Sequence, residues 1–253
     1  MNKTRTLITA AVIAALAPMT AAAQSMTLDY SAGGGLYMIQ MDCERHAANF
    51  FVVRVTADRG NHPRLNRFFK DSKASWCQQK STASYKSKHS VAAGVKYHRG
   101  HLIAANTVDN SPERVANSFF MTNVLPMTVQ LNTGAWKRAE QMVECLRENE
   151  PVTVMGGPLW GGPHKNDYFV KSHGIETPSY FWRVTLTNRY AIGWIMPNSV
   201  EAKARMLPQY RVDLEEISKR IRSAPWAPYT IGGTPPAKWL SLPDSNCKKR
   251  HLS

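Results

Sequence analysis

Two short stretches of this chain, Tyr97-His98-Arg99-Gly100-His101-Leu102 and Leu131-Asn132-Thr133-Gly134-Ala135-Trp136-Lys137-Arg138-Ala139-Glu140, together hold an imidazole, a guanidinium, an amide oxygen and a carboxylate. That is the set a one-metal phosphodiesterase needs: a neutral imidazole to deprotonate water, a hard cation on an oxygen ligand to neutralise a leaving oxyanion, and a guanidinium to hold phosphate. His101 is the candidate general base, because an imidazole with an ordinary pKa near 6.5 is largely unprotonated at neutral pH. A lone histidine in a loop is more often structural; within this constellation the base reading is the better one.

Asn132 is the candidate metal ligand. Mg²⁺ prefers oxygen and keeps several waters, so a single protein carbonyl can suffice, and Mn²⁺ could stand in its place. The plain alternative, a helix N-cap, is compatible with that role. Glu140 lies eight residues further on. On a straight helix the two Cα atoms would be about 12 Å apart at 1.5 Å per residue, too far for both to touch one ion. The conflict eases if Asn132 sits before the first regular turn, as Thr133-Gly134 allows, and if Glu140 reaches the metal through a bound water.

The two stretches resemble the DNA/RNA non-specific endonucleases, the sugar-non-specific nucleases with a ββα-metal site. That family's first motif usually reads Asp-Arg-Gly-His, and its second Asn-x-Gly-x-Trp-x-x-x-Glu. Here the second is intact, and His98 stands where the aspartate is usual. The resemblance extends over most of the chain through Phe51 to Thr56, Met121 to Pro126, Val154 to Pro158, Pro178 to Val184 and the segment around Leu214 to Ile217, in family order. It implies a phosphodiester-hydrolysing enzyme acting on DNA and RNA with little base preference. It also implies that Arg99 holds phosphate or organises the metal's waters. A second departure is Glu144, where family members commonly carry an arginine four residues after the motif glutamate. Either the phosphate goes without that cation or Arg147 supplies it, and Arg54, Arg59 and Arg64 are further candidates for phosphate. Asn106 and Asp109 could orient the imidazole or close the loop after it. The rival reading is a basic nucleic-acid-binding protein of the same fold without turnover.

The elements that must position these groups follow from periodicity. Alternating and β-branched runs mark strands at about Phe50 to Val55, Pro151 to Met155, Tyr180 to Thr187 and Tyr190 to Met196. Helical spacing appears in Trp136, Ala139, Met142, Val143 and Leu146, and again in Val212, Leu214, Ile217 and Ile221. Lys137, Glu140, Glu144 and Arg147 fall on another side of the first of these helices. Without a βαβ rhythm, the pattern predicts one mixed α+β domain with an antiparallel-rich sheet and helices packed on it.

Residues 1–23 read as a secretory signal, with Lys3 and Arg5 before the apolar run Leu7 to Leu16 and Ala21-Ala22-Ala23 at the cleavage site. The domain then spans 24–253, and the expected location is periplasmic or secreted. No later run is long and apolar enough for stable membrane insertion. The formal charge of +14 falls to +12 once Lys3 and Arg5 are removed, which calls for an anionic partner, nucleic acid or an anionic membrane surface. Cys43, Cys77, Cys145 and Cys247 lack the C-x-x-C spacing of zinc or thioredoxin-type chemistry. In an exported protein they favour two disulfides, with three connectivities open. The oligomeric state is not legible.

Overall fold

The computed structural model describes residues 24–223 apart from 33, 162–165 and 189. The signal segment, Cys247 and the basic tail beyond it lie outside the described residues. Seven strands form one antiparallel sheet in the order β1 (Ser25–Asp29), β2 (Tyr37–Asp42), β3 (Ala47–Val55), β6 (Val152–Leu159), β7 (Tyr180–Leu186), β8 (Ala191–Pro197) and β9 (Arg211–Val212). A separate two-stranded ribbon pairs β4 (Tyr97–His101) with β5 (Val124–Thr128). Around them run α1 (Lys88–Ala92), α2 (Pro112–Ser118), α3 (Trp136–Leu146), α4 (Val170–His173) and α5 (Leu214–Ile221). The α+β architecture is the expected one, and the four expected strands correspond to β3, β6, β7 and β8.

The side-chain alternation of the sheet explains its two cores. Along β7, Phe181 faces one side while Trp182, Val184 and Leu186 face the other. The first side packs on α3 and the ribbon, with Phe51, Trp136, Trp194 and Met196 in one cluster. The second is covered by α5, whose Ile217 closes on Val52, Met155 and Trp182. Each fully buried side chain of this size contributes about 1.5–3 kcal/mol. Because both faces are covered, β3 reads as a nearly unbroken apolar run rather than a clean alternation.

The ribbon carries the first motif, so His101 ends a strand and does not lie in the loop that its sequence context suggests. Gly100 is needed there: a Cβ would fall 2.5 Å from the Met127 side chain on β5. Cys43 and Cys77 form a disulfide, and Cys145 is disulfide-bonded as well. Among the described residues no helix is long and apolar enough to cross a membrane.

Candidate active site

The second motif begins in a wide turn, Leu131–Ala135, which precedes the regular helix α3. Gly134 is the reason for the break. Its φ of −112° and ψ of −106° are not helical, and a Cβ would lie 2.6 Å from the Ala202 carbonyl oxygen. The Ala135 N–H donates to that same carbonyl at 3.0 Å instead of closing a helical turn. Asn132 therefore stands off the α3 axis, as its spacing from Glu140 requires, and it caps neither helical segment: Gln130 and Ala135 hold those positions.

From there Asn132 meets the ribbon. Its Nδ2 lies 3.2 Å from His98 Nδ1. With the amide donating, the His98 proton sits on Nε2 and Asn132 Oδ1 is left open. The histidine that replaces the usual aspartate thus keeps an acceptor on the amide nitrogen. Both residues line a cavity of about 360 Å³ together with Arg64, Arg99, His101 and Phe119.

The ring of His101, at the end of β4, is held between Phe68 and Phe119, with centroids 5.2 and 4.9 Å away. Its carbonyl accepts from the Trp136 indole N–H at 3.1 Å, which ties the ribbon to α3. Asn123 fixes the chain just beyond: its side chain accepts from the Ile103 N–H and donates to the Ile103 and Ser118 carbonyls. Asn123 falls within one of the family-like segments, yet nothing in that segment assigns it this role; an amide beside the apolar Val124 and Leu125 is the signal that points to it. His101 Nε2 is enclosed without a partner, and the residue lines the cavity. Burial first, and then the positive charges of Arg64 and Arg99, push the imidazole down to about 3, so it is neutral through the physiological range.

The two arginines frame the cavity differently. Arg99 lies over the Phe68 ring at 4.2 Å and donates through Nη1 to the Thr82 carbonyl at 2.8 Å. Arg64 is exposed, with its guanidinium 5.9 Å from the Phe119 ring centroid. On α3, Glu140 is raised by burial to about 7, against the opposing pull of Arg183, Arg64, the Trp136 indole and Lys137.

The other expected cations are not brought to this cavity. Arg147 is only 3 % exposed and is surrounded by Asp58 at 2.8 Å, Glu144 at 3.3 Å, Glu148 at 3.7 Å and Asp109 at 3.9 Å. It cannot stand in for the family arginine that Glu144 replaces, because it is buried among these carboxylates and does not line the cavity. Asn106 belongs to the same cluster through Glu144 at 2.9 Å, and Asp109 through Arg147, so neither orients the imidazole. Arg54 is exposed on β3 but lines a different crevice, with Asp58, Asp109 and Arg147. The cation that motif spacing does not single out is Arg183, buried at 3 % exposure on β7 with its guanidinium 4.9 Å from the Trp136 ring centroid.

Among the described residues no three His, Cys, Asp or Glu side chains cluster as a metal cage. The donor set at the cavity is one amide oxygen with room for water, which suits a hard, well-hydrated cation rather than zinc.

A family model described as DNA/RNA non-specific endonuclease matches residues 24–226. The mitochondrial nuclease EXOG of Xenopus laevis is 30% identical over 141 residues, which is 50% of this chain and 39% of that protein. The human mitochondrial endonuclease G is 27% identical over 141 residues, 50% of this chain and 47% of that protein. The nuclease of Serratia marcescens is 24% identical over 201 residues, covering 76% of this chain and 73% of the other. The chain thus spans less than half the length of the two mitochondrial relatives. Among solved structures, EndoG in its complex with EndoGI shares the fold with a TM-score of 0.56 at 20% identity, over 74% of this chain and 81% of that one.

Proposed function

The chain belongs to the DNA/RNA non-specific endonuclease family, and from that premise we propose that it is an exported, Mg²⁺-dependent endonuclease that hydrolyses phosphodiester bonds in DNA and RNA without strong base preference. The observation that carries this reading is the neutral His101 between Arg64 and Arg99 on one cavity with Asn132. Nδ1 of His101 takes the proton of the attacking water. Arg99, braced by Thr82 and Phe68, and the exposed Arg64 hold the phosphate oxygens, and contacts of that kind carry no sequence information directly. Asn132 Oδ1 is the atom left open to hold a divalent ion, with His98 fixing the amide and Glu140 orienting a bound water. When bound, the metal would act as a Lewis acid on the leaving 3′ oxygen. Export rests on the amino-terminal segment alone.

The test is incubation of the purified protein, without residues 1–23, with supercoiled plasmid and with RNA, in Mg²⁺ and in EDTA. Cleavage of both that EDTA abolishes supports the reading. Band retardation without cleavage would leave a nucleic-acid-binding protein of the same fold.

A further inference from the structure

Arg99 reaches the cavity from the ribbon, but the group its guanidinium rests on comes from elsewhere in the chain: Nη1 donates to the Thr82 carbonyl at 2.8 Å. Thr82 belongs to residues 79–85, which lie outside every helix and strand, and the middle of that segment, Lys80 to Ser84, is half-buried or exposed. A carbonyl on such a segment can hold a cation still only if the segment itself is pinned. Both of its ends are. Gln79 is 0 % exposed and Tyr85 3 % exposed, and the Tyr85 hydroxyl donates to Gln79 Oε1 at 2.6 Å, closing the segment into a bow. The Gln79 amide nitrogen donates in turn to the Val124 carbonyl at 2.8 Å and to the Met121 carbonyl at 3.1 Å. Val124 opens β5 and pairs with His101 on β4, the strand that also carries Arg99. On its other side the bow meets α4, where His173 Nε2 donates to the Ala83 carbonyl at 3.0 Å and the His173 carbonyl accepts from the Lys80 N–H at 2.9 Å.

We propose that Gln79 and Tyr85 are positioning residues for Arg99, holding the bow that presents the Thr82 carbonyl in register with the ribbon that carries the arginine. The proposal rests on the nuclease reading and deepens it. Neither residue lines the cavity. They act by closing a ring of contacts that runs from Arg99 to Thr82, along the chain to Tyr85, through Gln79 to Val124, and across the ribbon back to β4. Both amide protons of Gln79 and its oxygen are bonded, and a buried amide with its bonds satisfied specifies one arrangement of its partners. A long cationic side chain loses rotamer freedom when it grips a phosphate. Fixing it beforehand removes that cost from binding.

The experiment measures affinity for a short DNA duplex in EDTA, where no metal-dependent cleavage intervenes, across a cycle of Tyr85→Phe and Arg99→Ala. Melting followed by circular dichroism confirms that each protein is folded at the working temperature. Tyr85→Phe removes only the hydroxyl and leaves Gln79 on β5. It is expected to weaken duplex binding about threefold to tenfold when Arg99 is present, and by less than about twofold in the Arg99→Ala background, where the side chain it acts through is gone. In Mg²⁺ the same variant should raise KM by more than it lowers kcat, because Arg99 holds phosphate and moves no proton. Gln79→Met, similar in volume but without the three hydrogen bonds, should weaken binding about tenfold or more. If it does not fold, the Tyr85→Phe cycle decides alone. A purely structural role would lower the melting temperature and leave the affinity of the folded protein unchanged. That result, or an equal loss in both Arg99 backgrounds, overturns the assignment. A wild-type chain that binds and cuts nucleic acid without this coupling removes the positioning role alone. One that binds without cutting removes the nuclease reading, and the cycle still decides what holds Arg99; one that does neither removes both.

Discussion

The cavity around His101 and the cluster around Arg147 use the same vocabulary of arginines, carboxylates and amides and do opposite things with it. Around Arg147, four carboxylates converge on one guanidinium that is 3 % exposed, so its positive charge is already taken up within the protein. At the cavity, Arg64 and Arg99 face a neutral imidazole and an amide, with aromatic rings beneath them and no carboxylate among the groups that line it. A guanidinium saturated by the fold is cement; one propped on aromatic faces and left short of anions is ready for a phosphate. Helix α3 borders both regions: the Trp136 indole bonds the His101 carbonyl at one, and Glu144 meets Arg147 at the other.

The largest expected effect is at the base. His101→Ala should lower turnover by about 10²-fold to 10⁴-fold at any Mg²⁺ concentration. Asn132→Ala should instead raise the Mg²⁺ requirement and recover partly at high concentration. Single-turnover cleavage across a Mg²⁺ series separates the two, and near-normal turnover in His101→Ala would remove the base assignment.

Arg147→Met tests the other side. Taking one partner from a buried cluster leaves carboxylates uncompensated, and stability should fall by roughly 3–5 kcal/mol. Urea denaturation measures this, while the folded fraction should keep its rate per active molecule. A stable variant with weakened DNA affinity would mean that the cluster binds substrate after all.

Arg64 and Arg54 are both exposed arginines, but only Arg64 lines the cavity. Arg64→Ala should cost about 1.5–3 kcal/mol of substrate binding, the range for a charge-assisted hydrogen bond. It should also flatten the salt dependence of duplex binding by about 0.9 in log-log slope for the one phosphate interaction removed. Arg54→Ala should do neither. Binding titrations in EDTA at several salt concentrations decide, and equal effects from the two would show that bulk charge, not the cavity, holds the substrate.

The smallest effect is in the pH profile. His101, held down to about 3, stays neutral across the working range, whereas Glu140, raised by burial to about 7, gains its proton as pH falls through neutrality. Turnover should therefore decline below about pH 7, by no more than about tenfold per unit, and level off above it. In Glu140→Gln that decline should vanish. An acid limb near pH 6.5 that survives the substitution would return the titration to His101.

Much of this was legible in residue types and spacing. Side chains alternate along a strand and repeat along a helix, so β3, β6, β7, β8, α3 and α5 could be read locally, as could the charge that calls for an anionic partner. The residue types at His101, Arg99, Asn132 and Glu140 were equally plain, because side-chain identity survives unfolding. The motif ribbon was not legible as strands, since Tyr97 to His101 has no clean alternation and owes its pairing to β5, some 25 residues later. Nor could arginines be sorted from one another. Arg147, Arg54, Arg64 and Arg183 are one residue type in sequence, and what each can do depends on which carboxylates the chain returns to it from far away. Asp58 reaches Arg147 across nearly ninety positions, and Glu140 lies more than forty from Arg183. Residue types set which chemistry is present; tertiary contact sets which charges are spent inside the protein and which remain for a ligand, because burial and long-range pairing, not side-chain identity, fix the free energy of a charge.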